Sequence, residues 1–265
     1  MNELSRLGEA EISQYEKLLL LKNDLRKECF QLEQEYTREF GKEALELFHL
    51  QIECARKVKT IEFCQIYLNR GEDPDGEALQ QYVQQETEEL IDHLHAMRKT
   101  YENAKNATEI SSADLKMIKM IYRGIAKQIH PDIHSELAEV EELQELWNQV
   151  NIAYRCNDLE QMQELDLLVS VILAGLSQRE IALDIPDVEA KIKILESEIR
   201  EIRSKDPYRY KYLFEHPEAV QEKHLDLQKQ AEEYRQYSKQ LDARLDAILP
   251  EEMVLFWNDE WWDET

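Results

Sequence analysis

Leu115 to Asp132 reads LKMIKMIYRGIAKQIHPD and runs against the charge of the rest of the chain. The 265 residues carry a formal net charge of −24, yet between Leu115 and His130 there are four bases and no acid. At about 100° per residue, Lys116, Arg123 and Lys127 fall within about 40° of one another on a helix, with Lys119 about 60° to one side. Ile118, Ile121, Tyr122, Ile125 and Ile129 collect on the opposite face, so the segment predicts an amphipathic helix with one side to bury and a basic side to present. Proline has no amide hydrogen and disfavours helical geometry in the residue before it. Pro131 must therefore end that helix and turn His130 outward into a short loop. Asp132 then stands beside a basic surface, able to accept a forked pair of hydrogen bonds from a partner's arginine.

Alone, the tripeptide His130-Pro131-Asp132 carries little weight: a shuffled chain of this composition holds it about once in a hundred, and a helix-ending turn without function is the alternative. A third element adds to it. Trp147-Asn-Gln-Val150-Asn151-Ile-Ala153-Tyr154 combines an apolar helical face (Leu143, Leu146, Trp147, Val150, Ala153, Tyr154) with a polar Asn151. In this order, YRGIAKQIHPD (Tyr122 to Asp132) and WNQVNIAY (Trp147 to Tyr154) resemble the J domain, the DnaJ-like co-chaperone module, in a divergent bacterial form of class C type. The resemblance covers about residues 112 to 175. It implies a helical core that includes Tyr122, Ile125, Trp147, Val150, Asn151, Ala153 and Tyr154. It also implies a protein without an active site of its own, which binds a DnaK-type heat-shock 70 kDa chaperone and stimulates its ATPase. The basic stripe Lys116, Lys119, Arg123 and Lys127 would lie on an acidic surface of that chaperone, and His130, Pro131 and Asp132 would carry the activating contact. The family's first helix has a Tyr-x-x-Leu-Gly signature, and nothing like it precedes Ser112 here. The helix ending near Tyr101 is expected to pack in its place. The Gly/Phe-rich linker and cysteine-rich zinc module of the full-length type are absent too.

Upstream, Leu18, Leu25, Cys29, Leu32, Tyr36 and Phe40 keep a three-and-four spacing, which predicts a long helix from Tyr15 to near Gly41. A second helical pattern, Leu45 to Leu68, stops at Gly71-Glu-Asp-Pro-Asp-Gly76, and a third runs from Leu79 to Tyr101. The short connection between them predicts an antiparallel pair. After a polar break at Asn106 to Ser112, helices are expected over Asp114 to Ile129 and Ser135 to Arg155, with Asn157 or Asp158 capping the next. From Pro186, Val188, Ile192, Leu195, Ile199 and Ile202 repeat at coiled-coil spacing. Val220, His224, Leu227, Ala231, Tyr234, Ser238, Leu241, Leu245 and Ile248 repeat it again, after a tip bearing Tyr208, Tyr210, Tyr212 and Phe214. These two segments predict an antiparallel coiled-coil hairpin, closed within one chain or between the chains of a homodimer. Pro250 to Thr265 holds Phe256, Trp257, Trp261 and Trp262 with six acids and no base. It reads as a tail packed back on the arm or as a docking peptide. The expected division is a helical arm (1–105), a J-like domain (106–177), a coiled-coil hairpin (178–249) and an acidic Trp-rich tail (250–265).

Composition narrows the rest. Six Gly and six Pro are under half the usual share of roughly 12%, which leaves few turns and favours an all-α chain. The charge of −24 repels a phosphate backbone, so nucleic acid is not an expected partner. Cys29, Cys54, Cys64 and Cys156 form no Cys-x-x-Cys pair and read as reduced thiols of a cytoplasmic protein. No membrane-length apolar run and no leader-like start is present; the longest weakly polar stretch is Leu167 to Leu176. No metal or other cofactor is expected: Pro131 breaks the helix that would align His130 with His134, and His93 and His95 point in different directions. No phosphate loop or nucleophile elbow marks an enzyme. Two functional readings remain. In one, the chain is a co-chaperone whose coiled coils recruit an unidentified client or partner. In the other, it is a coiled-coil scaffold in which the J-like unit is structural or masked by the acidic arms.

Overall fold

The computed structural model describes residues 3–106, 110–134, 140–176 and 187–249, and these are all-α, with eight helices and no strand among the described residues. Helix α1 (Glu3–Arg70) runs without interruption where the spacing predicts two helices divided near Gly41. Gly41 is a point of close approach. A Cβ there would overlap the Tyr101 ring, whose Cε2 and Cγ would lie 3.1 and 3.2 Å away. The glycine lets α2 (Gly76–Asn106) lie against α1, and this packing offsets the roughly 1 kcal/mol that glycine costs inside a helix. Helix α1 ends in a Schellman turn, with Gly71 at φ 70°, its N–H on the Leu68 carbonyl and the Glu72 N–H on the Tyr67 carbonyl. Asp75 caps α2 by accepting from the Glu77 N–H at 2.9 Å. The expected antiparallel pairing follows: Cys64 meets Leu79 and Val83, Lys59 meets Glu86 at 2.9 Å, and Arg38 reaches the Ala104 carbonyl at 3.2 Å.

The chain groups into two compact units, 1–33 with 108–211 and 34–107 with 212–265, rather than into the linear series expected from the sequence. The uninterrupted α1 is the reason, because its first half belongs to one unit and its remainder to the other. In the second unit, α8 (Pro217–Asp246) lies along α1 in the same direction. Leu227 and Ala231 pack on Phe40 and Leu47, and Leu241 and Leu245 pack on Cys54 and Ile61. Buried Lys57 ties the pair together, meeting Glu53 at 2.7 Å, Asp242 at 2.6 Å and Ser238 Oγ at 2.7 Å. Leu213 and Phe214, at the end of the short α7 (Tyr210–Phe214), join the cluster around Phe40.

In the first unit, α6 (Val188–Ser204) also runs parallel to α1: Ile192 and Leu195 pack with Tyr15 and Leu19, and Lys22 meets Glu198 at 2.6 Å. The expected coiled-coil hairpin is therefore corrected. Both heptad faces are buried, but each is filled by α1, because heptad spacing selects the buried face and not the partner that covers it.

The J-like segment is α3 (Ser112–Ile129), α4 (Glu141–Cys156) and α5 (Leu159–Leu176) in the first unit. Ser111 and Asp114 form a reciprocal cap at the start of α3, at 3.1 and 2.7 Å. Val140 is extended (φ −87°, ψ 106°), so α4 starts at Glu141 and does not run back continuously toward Ser135. Asn157 ends α4 in the left-handed conformation at φ 56°, and Asp158 caps α5 by accepting from the Gln161 N–H at 2.9 Å. Three apolar faces close on one another around Ile118, Tyr122 and Ile125 of α3, Trp147 and Val150 of α4, and Met162 and Val169 of α5. Helix α2, which contains Tyr101, belongs to the second unit. It is α1 that reaches this core, through Leu20. Residues 135–139, Pro186 and the Trp-rich segment 250–265 lie outside the described residues. No helix among the described residues is long and apolar enough to cross a membrane.

Candidate functional site

Helix α3 presents its basic stripe beside α1, and the stripe divides in two. Lys119 Nζ and Arg123 Nη2 reach Asp24 of α1 at 2.7 and 2.8 Å, and the Tyr154 hydroxyl donates to the same carboxylate at 2.7 Å. Burial opposes ionisation of Asp24, but hydrogen bonds from Lys119, Tyr154 and Arg123 outweigh it and hold the carboxyl below the usual range. Lys116 and Lys127 are exposed, with no ion-pair partner among the described residues. One half of the stripe thus neutralises an internal carboxylate while the other half faces solvent.

Pro131 ends α3 as its chemistry requires, with His130 at the C-cap in extended geometry (φ −58°, ψ 124°). The side chain does not turn outward as expected. His130 is 6% exposed and its ring lies 4.7 Å from that of Trp147. Its Nδ1 accepts from the Asp132 N–H at 3.1 Å, which curls the loop back over the ring. Burial pulls the His130 pKa down to about 4 against the opposing pull of Asp132, so the ring is neutral at pH 7. With Nδ1 accepting, its proton sits on Nε2. Ile133 is buried with Tyr15, Leu19, Ile192 and Leu195, which anchors the far side of the loop. Asp132 itself is exposed. His134 is committed through Nε2 to the Lys127 carbonyl at 2.7 Å.

The remaining residues singled out from the sequence gather behind the loop. Tyr122 stacks on Tyr154 with ring centres 3.9 Å apart, and its hydroxyl donates to Asn151 Oδ1 at 3.3 Å. Asn151 Nδ2 donates to the Trp147 carbonyl at 2.9 Å, which fixes the orientation of the amide toward the Tyr122 hydroxyl. Ile125, Val150 and Ala153 are fully buried in the same core.

Sequence reasoning missed the contribution of α1. Lys27, only 7% exposed, lies over the Tyr154 ring at 3.9 Å, and burial lowers its pKa to about 8 although Asp24 pulls it up. Asp24 and Lys27 are three apart on the helix face that also carries Leu20, and that polar interruption of an apolar stripe was the available signal. Among the described residues no group of three or more His, Cys, Asp or Glu is placed to hold a metal ion. Compared with known proteins, the chain matches no family model, no curated protein and no solved structure.

Proposed function

We propose that the chain is a J-type co-chaperone that binds a DnaK-type heat-shock 70 kDa chaperone and stimulates its ATPase. The observation that supports this reading is the exposed Asp132 carboxylate, whose backbone is held by a buried neutral His130 at the end of a basic helix. An exposed carboxylate just past the end of the helix that carries solvent-facing Lys116 and Lys127 offers a partner one charged hydrogen-bond acceptor, and the helix's cations supply a field that speeds encounter. No group in this arrangement is asked to perform chemistry; ATP hydrolysis takes place on the partner. The second unit, residues 34–107 and 212–265, is then the part that recruits a client or a dedicated partner. Four free cysteines are in keeping with a cytoplasmic site of action.

Association with the ATP-bound chaperone, followed by stopped-flow fluorescence at several salt concentrations, tests the proposal. Lys116→Ala with Lys127→Ala is expected to slow association and flatten its salt dependence. Unchanged association by a folded double variant contradicts it.

The Asp24 clamp favours a second reading, a scaffold in which the J-like unit is structural or held masked by α1. Asp24→Asn separates the two. It accelerates chaperone association if Lys119 and Arg123 are masked binding residues, and changes nothing if the unit is purely structural.

A further inference from the structure

We propose that the first unit carries a binding site for a compact polyvalent anion, a small molecule bearing phosphate groups or several carboxylates, in the cleft behind the His-Pro-Asp loop. The cleft has a volume of about 350 Å³, and its walls include Lys22 and Arg26 of α1, His130 and Asp132 of the loop, and Asn151 and Arg155 of α4. Three cations against one carboxylate line a cleft in a chain of net charge −24. Lys22 is shared with Glu198, but Arg26 and Arg155 have no ion-pair partner among the described residues. Guanidinium forks match the paired oxygens of phosphate and carboxylate groups.

A second observation points to a ligand. His130 is 6% exposed, and with Nδ1 occupied by the Asp132 N–H its Nε2–H has no acceptor among the described residues. His130 lines the cleft, so this donor is available to an acceptor oxygen bound there. Lining aromatics decide the ligand's shape. Tyr154 is covered on one side by Lys27 and on the other by Tyr122, each at 3.9 Å, while Trp147 lies against His130 and Tyr122. A nucleobase therefore finds no open ring to stack on, and the cleft suits a compact anion. The overall negative charge repels anions at long range, so the affinity is local to the two arginines and His130.

Isothermal titration calorimetry of the full chain with inorganic pyrophosphate and, separately, with citrate at fixed ionic strength tests the site. Saturable one-to-one binding of either probe is expected, weakened at least tenfold by Arg26→Ala and by Arg155→Ala, and unchanged by Lys193→Ala on the exposed face of α6. Pyrophosphate alone, citrate alone or both binding assigns the preferred anion within the class. In wild-type protein the His130 ring resonances shift as the probe saturates, a readout that needs no variant to fold. Absence of both saturable heat and a His130 shift overturns the proposal, as does binding that survives Arg26→Ala with Arg155→Ala. No chaperone enters these measurements, so the site stands or falls separately from the co-chaperone reading.

Discussion

Replacing Asp24 by alanine removes one carboxylate and releases three donors at once, Lys119, Arg123 and the Tyr154 hydroxyl. The losses are unequal. Side chains of Lys119 and Arg123 are 44% and 47% exposed, so water takes up much of their charge, and each pair contributes only about 0.5 kcal/mol. Tyr154 is 3% exposed, and stranding its hydroxyl without a charged acceptor costs about 1.5–3 kcal/mol. The expected total is about 3 kcal/mol, most of it from the tyrosine. Native-state hydrogen exchange reads this as a fall in protection of roughly 100-fold for the α3 and α4 amides. Adding Tyr154→Phe to Asp24→Ala removes the stranded hydroxyl and restores most of the protection. The folded pKa of Asp24 is depressed, so its contribution is complete above the unfolded value of about 3.9 and is lost as pH falls through the folded one. Protection reduced by less than about threefold (about 0.7 kcal/mol), or no recovery with Tyr154→Phe, refutes the reasoning.

Three further outcomes are expected. The folded pKa of His130 is about 4, and the unfolded ring titrates near 6.5, so between these values only the unfolded state binds the proton. Stability should fall as pH drops through that window, by up to about 1.4 kcal/mol per pH unit from this residue, and His130→Gln should flatten the slope; a His130 ring titrating near 6.5 by NMR contradicts this. Gly41→Ala gains about 1 kcal/mol of helix propensity but loses more to overlap with Tyr101. Its melting temperature should drop and recover when Tyr101→Leu is added, whereas a rise for Gly41→Ala alone is the wrong sign. Leu19→Ala and Leu195→Ala share one cluster in the first unit, so their effects on unfolding free energy should couple by at least about 0.5 kcal/mol in a double-mutant cycle; additivity contradicts pairing of α6 with α1.

The faces of the helices were legible in the sequence and their partners were not. Ile192, Leu195, Leu227 and Leu241 are buried as their spacing requires, yet that spacing is equally satisfied by a neighbouring heptad segment or by α1. Gly41 reads as a stop because glycine is a poor helix former, and only the ring of Tyr101, sixty residues away in sequence, reveals it as a contact. At the site, Pro131 foretold the end of α3 through local sterics. The inward turn of His130 depends on Trp147 and on the Asp132 amide, which local rules do not bring together. Asp24 and Lys27 were hidden for a related reason. A charged pair on a long acidic helix reads as surface until a basic helix and a tyrosine are set against it.

Single-turnover ATP hydrolysis by a bacterial DnaK-type chaperone, with this protein as wild type or as Asp132→Asn, tests the central proposal most directly. Asp132 is exposed, so the variant should keep its helicity, and the proposal predicts stimulation by the wild type that the variant loses. No stimulation by folded wild-type protein with its own organism's chaperone, or equal stimulation by Asp132→Asn, contradicts it.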